Sequence, residues 1–110
     1  MLPARAGVGK STKNAMANRN IKKKKTSFGS IEILSDIPRI ERMIFNKEGK
    51  SHKHDTYEYC YVLSGSGRVV GADKEEVTEG DFCKISPHTP HWMIPNKKPF
   101  SLIIFYGPEV

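Results

Sequence analysis

Residues 51–67 read SHKHDTYEYCYVLSGSG: two histidines one residue apart, a glutamate four positions after the second, then an aromatic and β-branched run that stops at glycine. Side chains of an extended strand alternate between two faces with a period of two. His52, His54, Glu58, Cys60 and Val62 share one parity; Tyr57, Tyr59, Tyr61 and Leu63 share the other. Read as one strand over 52–63, the stretch separates a chemical face, with two imidazoles and a carboxylate, from an aromatic packing face. An HxH pair also arises by chance, so an exposed polar rim on an edge strand is the competing reading of this segment alone.

Outward from this stretch, the chain from residue 27 onward is made of short apolar runs broken by Gly, Pro, Asp and Asn. The strands expected are Ile31–Leu34, Ile40–Asn46, Tyr57–Leu63, Gly67–Gly71, Glu75–Thr78, Phe82–Ile85, His91–Ile94 and Phe100–Tyr106. No segment carries ten residues of helical period. Many short strands at this spacing indicate an all-β antiparallel sandwich or barrel.

The 110 residues suffice for one domain with one core. No apolar stretch is long enough for a membrane helix, and the N-terminus lacks the apolar centre of a secretory signal. The two cysteines, Cys60 and Cys83, form neither a disulfide framework nor a CxxC signature, so a reduced, cytoplasmic protein is expected. The net charge of +6 is confined to one end: residues 1–25 hold eight basic residues and no acid, which leaves residues 26–110 at −2. Residues 1–26 are therefore expected to be a flexible basic tail and residues 27–110 the domain. Residues 1–15 are open to reading as an addition upstream of a start at Met16. Without aromatic residues among the lysines, the tail gives no platform for bases, and nucleic acid is not an expected partner. The tail's GVGKST resembles the end of a phosphate-binding loop. Ala4 stands where that pattern needs glycine, and no strand or amphipathic helix flanks it to aim its amides at a phosphate.

A second informative segment, residues 80–96, reads GDFCKISPHTPHWMIPN. Pro87 and Pro90 fix a tight connection before His91 opens a strand. With both segments in view, the chain resembles the cupin family. Its first motif, G-x5-HxH-x3,4-E-x6-G, is matched by Gly49, His52, His54, Glu58 and Gly65, with a shortened first gap. Its second, G-x5,7-PxG-x2-H-x3-N, is matched in order by Gly80, Pro87, His91 and Asn96. The departures are His88 or Thr89 in place of glycine and four residues between His91 and Asn96. Histidine tolerates the left-handed conformation that a glycine would supply.

The resemblance implies a jelly-roll (double-stranded β-helix) barrel around one divalent transition metal ion, with His52, His54, Glu58 and His91 as ligands. Imidazole nitrogens and a carboxylate oxygen without thiolate suit Fe, Mn, Ni, Cu or Zn. It also implies an enzyme of dioxygenase, isomerase or lyase type on a small oxygenated substrate, such as a keto or hydroxy acid or a sugar derivative, with Glu58 as ligand and proton acceptor. The alternative is a non-catalytic metal- or small-ligand-binding module. A homodimer is expected from the modest core and the aromatic outer face. Cys60 and Cys83 read as small core residues, Met93 as an apolar pocket wall, His88 as an exposed turn residue, and Tyr59 and Tyr61 as packing away from the metal.

Overall fold

The computed structural model describes residues 21–109. Among them the chain forms seven strands: β1 (Lys22–Lys25), β2 (Gly29–Ser35), β3 (Arg39–Phe45), β4 (Tyr57–Val70), β5 (Lys74–Thr78), β6 (Phe82–Ile85) and β7 (Trp92–Gly107). All pairings are antiparallel, in the order β1-β2-β3-β7-β4-β5, with β6 also on β4. The fold is all-β, and no described helix is long and apolar enough to cross a membrane.

Period-two burial builds the interior. In β3, Glu41, Met43 and Phe45 are buried while Arg42 and Ile44 between them are partly exposed. Their ladder partners in β7 are Ile104, Leu102 and Phe100, all fully buried. Cys60 and Val62 of β4 face the same core, closed by Met93, Val69, Val77 and Ile85. Phe28 stacks on Phe45 at 4.6 Å between ring centroids, and Phe45 meets Phe100 at 6.1 Å. Burying one such ring contributes about 1.5–3 kcal/mol, so this line of rings anchors β2, β3 and β7 together.

The strands at 57–63 and 67–71, expected to be separate, are one strand, as are those at 91–94 and 100–106. The breakers between them bend the ladder without ending it. Register shifts fall between Val62 and Gly67, opposite the proline-containing stretch 95–101. Gly65 has φ +73°, and a Cβ there would run into the carbonyls of Lys97 and Pro99. A bend of this kind needs glycine on one strand and tolerates proline on the other.

The boundary of the basic tail also differs from expectation. Lys22–Lys25 pair with Ser30–Ile33 as an edge strand, all four exposed. The open backbone edge of β2 accepts a strand whatever its side chains, and lysines on the outermost strand discourage further pairing. The rest of the expected tail, with GVGKST and Met16, lies outside the described residues.

Candidate metal centre

Glu58 stands on β4 with inward parity, in register with Ile85 of β6 and Tyr106 of β7. His91 lies one residue before β7. His52 and His54 do not extend β4 as expected: they belong to the β3–β4 connection, where Asp55 and Thr56 make a bend. Backbone links still bring them in. His52 and His91 form an isolated antiparallel bridge, with N–H···O distances of 3.1 and 2.9 Å, and the His88 amide donates to the His54 carbonyl at 2.7 Å. His88, at φ 62°, takes the left-handed turn for which the motif normally uses glycine, with its side chain exposed.

One ligating atom from each of His52, His54, Glu58 and His91 lies within 4.8 Å of the others. Glu58 Oε1 is 3.0 Å from His91 Nε2 and 3.2 Å from His54 Nε2. Donors at about 2.1 Å from one ion lie about 3 Å apart when adjacent, and the two distances from Glu58 to the imidazoles match that spacing.

Proton accounting leads to the same conclusion. His52 Nδ1 lies 2.8 Å from the Lys50 carbonyl, and His91 Nδ1 2.8 Å from the Thr89 carbonyl. A carbonyl only accepts, so each Nδ1 carries a proton, which leaves Nε2 as the nitrogen free to offer a lone pair to a cation. His54 Nε2 is buried with no hydrogen-bond partner. Lone pairs converging on a carboxylate fit a cation. Without one, the His91 imidazole must take a second proton to bond Glu58.

The acidities reflect this competition. Burial pushes His91 down, but the hydrogen bond and charge of Glu58, helped by Thr89, leave it above its ordinary 6.5. Burial pushes Glu58 up, yet the bonds from His91 and Cys60 and the nearby imidazoles bring it below 4.5. His54 is lowered, chiefly by burial, with Glu58 opposing. Glu58 and His91 are each only 1% exposed. Behind them Cys60, fully buried, donates its thiol to Glu58 Oε2 at 3.3 Å.

A cavity of about 320 Å³ opens beside His52 and His54, walled by Met93 as expected, and by Phe28, Ile31, Met43 and Phe45. It also reaches Glu41 and Tyr106, two residues that sequence reading does not bring to the site. Tyr106 sits edge-on to His54 at 4.9 Å, and its hydroxyl donates to Glu41 Oε1 at 3.1 Å. Arg39 Nε donates to Glu41 Oε2 at 2.8 Å. Burial, then the charges of Glu58 and Glu41, push the Tyr106 phenol far up, so it stays protonated. A larger cavity, about 610 Å³, lies among β4, β5 and the first part of β7; it contains Asn96 and none of the four candidate ligands.

The family profile described as Cupin domain matches residues 41–106, a span that includes all four residues of the cluster. No curated protein matches. Among solved structures, the oxalate decarboxylase of Bacillus subtilis, described with Mn(II) centres, superposes at a TM-score of 0.73 with 17% identity. That alignment covers 84% of this chain and 29% of the decarboxylase. An RmlC-like cupin from Shewanella frigidimarina gives a TM-score of 0.69 and 20% identity, over 81% of this chain and 86% of that one. Such likenesses establish the jelly-roll fold.

Proposed function

The chain belongs to the cupin family, and from that premise we propose that it is a metal-dependent enzyme acting on a small oxygenated substrate, by dioxygenase, isomerase or lyase chemistry. The observation that carries this is three imidazole nitrogens and a carboxylate oxygen within 4.8 Å, beside a cavity of about 320 Å³. His52, His54, Glu58 and His91 are the proposed ligands. When bound, a divalent ion supplies a Lewis acid for a substrate oxygen. The Lys50 and Thr89 carbonyls fix the two imidazole tautomers, and the Cys60 thiol steadies the far oxygen of Glu58. Glu58, held ionised, is the proposed proton acceptor. Fe, Mn, Ni, Cu and Zn all suit the donor set; manganese is the first to test, given the decarboxylase.

A second reading, a non-catalytic binding module, draws support from how firmly Glu58 is held: both oxygens are engaged and the residue is nearly inaccessible. Metal content by elemental analysis of protein purified without chelators tests both readings. His54→Ala and His91→Ala are expected to lose the metal; full occupancy in both variants would refute the ligand assignment. Metal-bound protein that takes up keto or hydroxy acids without converting them would favour the module.

We also propose a homodimer formed through the outer face of β4 and β6, where Tyr61, Leu63 and Phe82 are exposed. Light scattering is expected to give twice the chain mass, and a monomer at high concentration would refute it. A cytoplasmic location is also proposed, and thiol trapping of Cys60 and Cys83, opposite each other in the β4–β6 register, after cell fractionation tests it.

A further inference from the structure

We propose that the substrate is amphipathic, with an oxygen-donor head at the metal and an apolar aromatic or branched-aliphatic body along the wall formed by β2 and β3; this rests on the metal assignment above. The cavity's polar groups are largely engaged already. Both oxygens of Glu41 accept hydrogen bonds, from Arg39 and Tyr106, and the Tyr106 proton is committed to Glu41. His52 Nδ1 is committed to the Lys50 carbonyl. Polar recognition is then concentrated at the metal end and at the ammonium of exposed Lys50 on the rim.

The remaining surface is carbon and sulfur: Phe28, Ile31, Met43, Phe45 and Met93. Three of them, Met43, Phe45 and Met93, are buried, while Phe28 and Ile31 are half-buried nearer solvent. A polyol or sugar acid lying here would exchange water for methyl and ring surface, and each hydroxyl left unpaired costs about tenfold in affinity. A two-carbon diacid would coordinate the ion but leave most of the 320 Å³ unfilled. That volume is at the small end of ligand pockets, suited to one ring or one branched chain beyond the chelating group. The substrate class thereby narrows from keto acids, hydroxy acids and sugar derivatives to acids or enols that bear an apolar body.

The test uses the full chain reconstituted with Co(II), with visible absorption of the ion as the binding readout and three probes: phenylpyruvate, pyruvate and gluconate. Phenylpyruvate is expected to bind about 10- to 100-fold more tightly than pyruvate, from burial of the ring, and gluconate no more tightly than pyruvate. Ile31→Asn is expected to remove about tenfold of the phenylpyruvate affinity and leave pyruvate affinity and Co(II) content unchanged. Equal affinity for phenylpyruvate and pyruvate, or a preference for gluconate, overturns the inference and leaves the metal site standing. Phenylpyruvate binding that calorimetry finds undiminished in metal-free protein also overturns it, because the head would not be on the ion. Failure to bind Co(II) or Mn(II) overturns the metal assignment and this inference together. The three-probe comparison on the unmodified chain decides the matter even if Ile31→Asn does not fold.

Discussion

Replacing Glu58 by glutamine tests the metal centre at its most informative atom. Glutamine keeps the shape, so the packing of Cys60 and Ile85 around position 58 is preserved. Its carbonyl can still accept from the Cys60 thiol, and its amide can donate to the lone pairs of His54 and His91, which now lie 3.2 and 3.0 Å from Oε1. The metal-free variant is therefore expected to fold. The cation, however, loses its single anionic donor and meets N–H groups in its place. Breaking a buried charge pair by removing one partner costs about 3–5 kcal/mol, roughly a thousandfold in affinity. For the unmodified protein, metal at about 100 times its Kd adds about 2.7 kcal/mol of stability, and in a domain of this size each kcal/mol raises Tm by about 4–8 °C. The rise on adding metal is thus about 10–20 °C. At the same concentration the variant sits near a tenth of its Kd, where the gain is below about 0.1 kcal/mol and the shift below about 1 °C. Thermal unfolding with and without Mn(II), alongside elemental analysis, measures both. A Glu58→Gln protein that still gains ten degrees with metal would refute the coordination scheme.

Acidity separates the metal-free and metal-bound forms. His91 is held above 6.5, so the stability it lends the metal-free fold is complete below 6.5 and is lost as pH rises through its folded value. His54, held below 6.5, and Glu58, held below 4.5, slope the other way, their contributions fading as pH falls through their folded values. The Tm of metal-free protein is expected to peak near about 6.5, while the increment from added metal keeps growing above it, since ligation needs deprotonated imidazoles. An increment independent of pH between 5 and 8, by thermal scans, would contradict the imidazole ligands. Gly65→Ala is expected to cost at least about 2 kcal/mol in urea unfolding, from the left-handed backbone together with the collision with Lys97 and Pro99; a loss below 0.5 kcal/mol would mean the bend does not need glycine. In hydrogen exchange, metal at about 100 times its Kd is expected to slow the His52 and His88 amides about a hundredfold if they open only with the site, with β5 amides much less affected; equal slowing everywhere would show global stabilisation only.

Much of the site was legible in the sequence because its signals are local. The HxH-x3-E spacing is read within residues 52–58, and the turn before His91 is written in two prolines; shared strand parity is not the reason the histidines meet Glu58, since His52 and His54 lie in the connection before β4. The face assignment of Tyr57–Leu63 holds, with Tyr59 stacking outward on Phe82 at 6.2 Å between centroids. What was not legible depends on long-range register. Gly65 and Pro95 read as terminators because local sequence does not reveal that β4 and β7 run past them as partners. Lys22–Lys25 reads as solvated tail because strand addition at an edge is decided by the backbone of β2. Glu41 and Tyr106 lie 65 residues apart, and their meeting follows only from the β3–β7 ladder, in which Arg39 opposes Tyr106 and Glu41 opposes Ile104. Their one local signal is parity: Glu41 shares the inward parity of Met43 and Phe45, and Tyr106 continues the inward series Leu102, Ile104.

The four proposed ligands divide into two pairs by how they are held. Glu58 sits in a ladder paired on both edges, while His91 is held through its bridge to His52 and its bond to Thr89. These two are nearly inaccessible, and neither lines the cavity. His52 and His54 come from the β3–β4 connection, are more exposed, and form the cavity's edge. The cavity between the connection and the apolar wall of β2 and β3 is a route by which a substrate would reach an ion held by Glu58 and the imidazoles. Cys60, sealed behind that carboxylate, is beyond its reach and acts only by orienting Glu58. The ladder would fix where an ion lies, and the connection, held by three backbone hydrogen bonds to the His88–His91 turn, borders the cavity beside it. A change confined to residues 50–56 should therefore alter access before it alters the position of the ion.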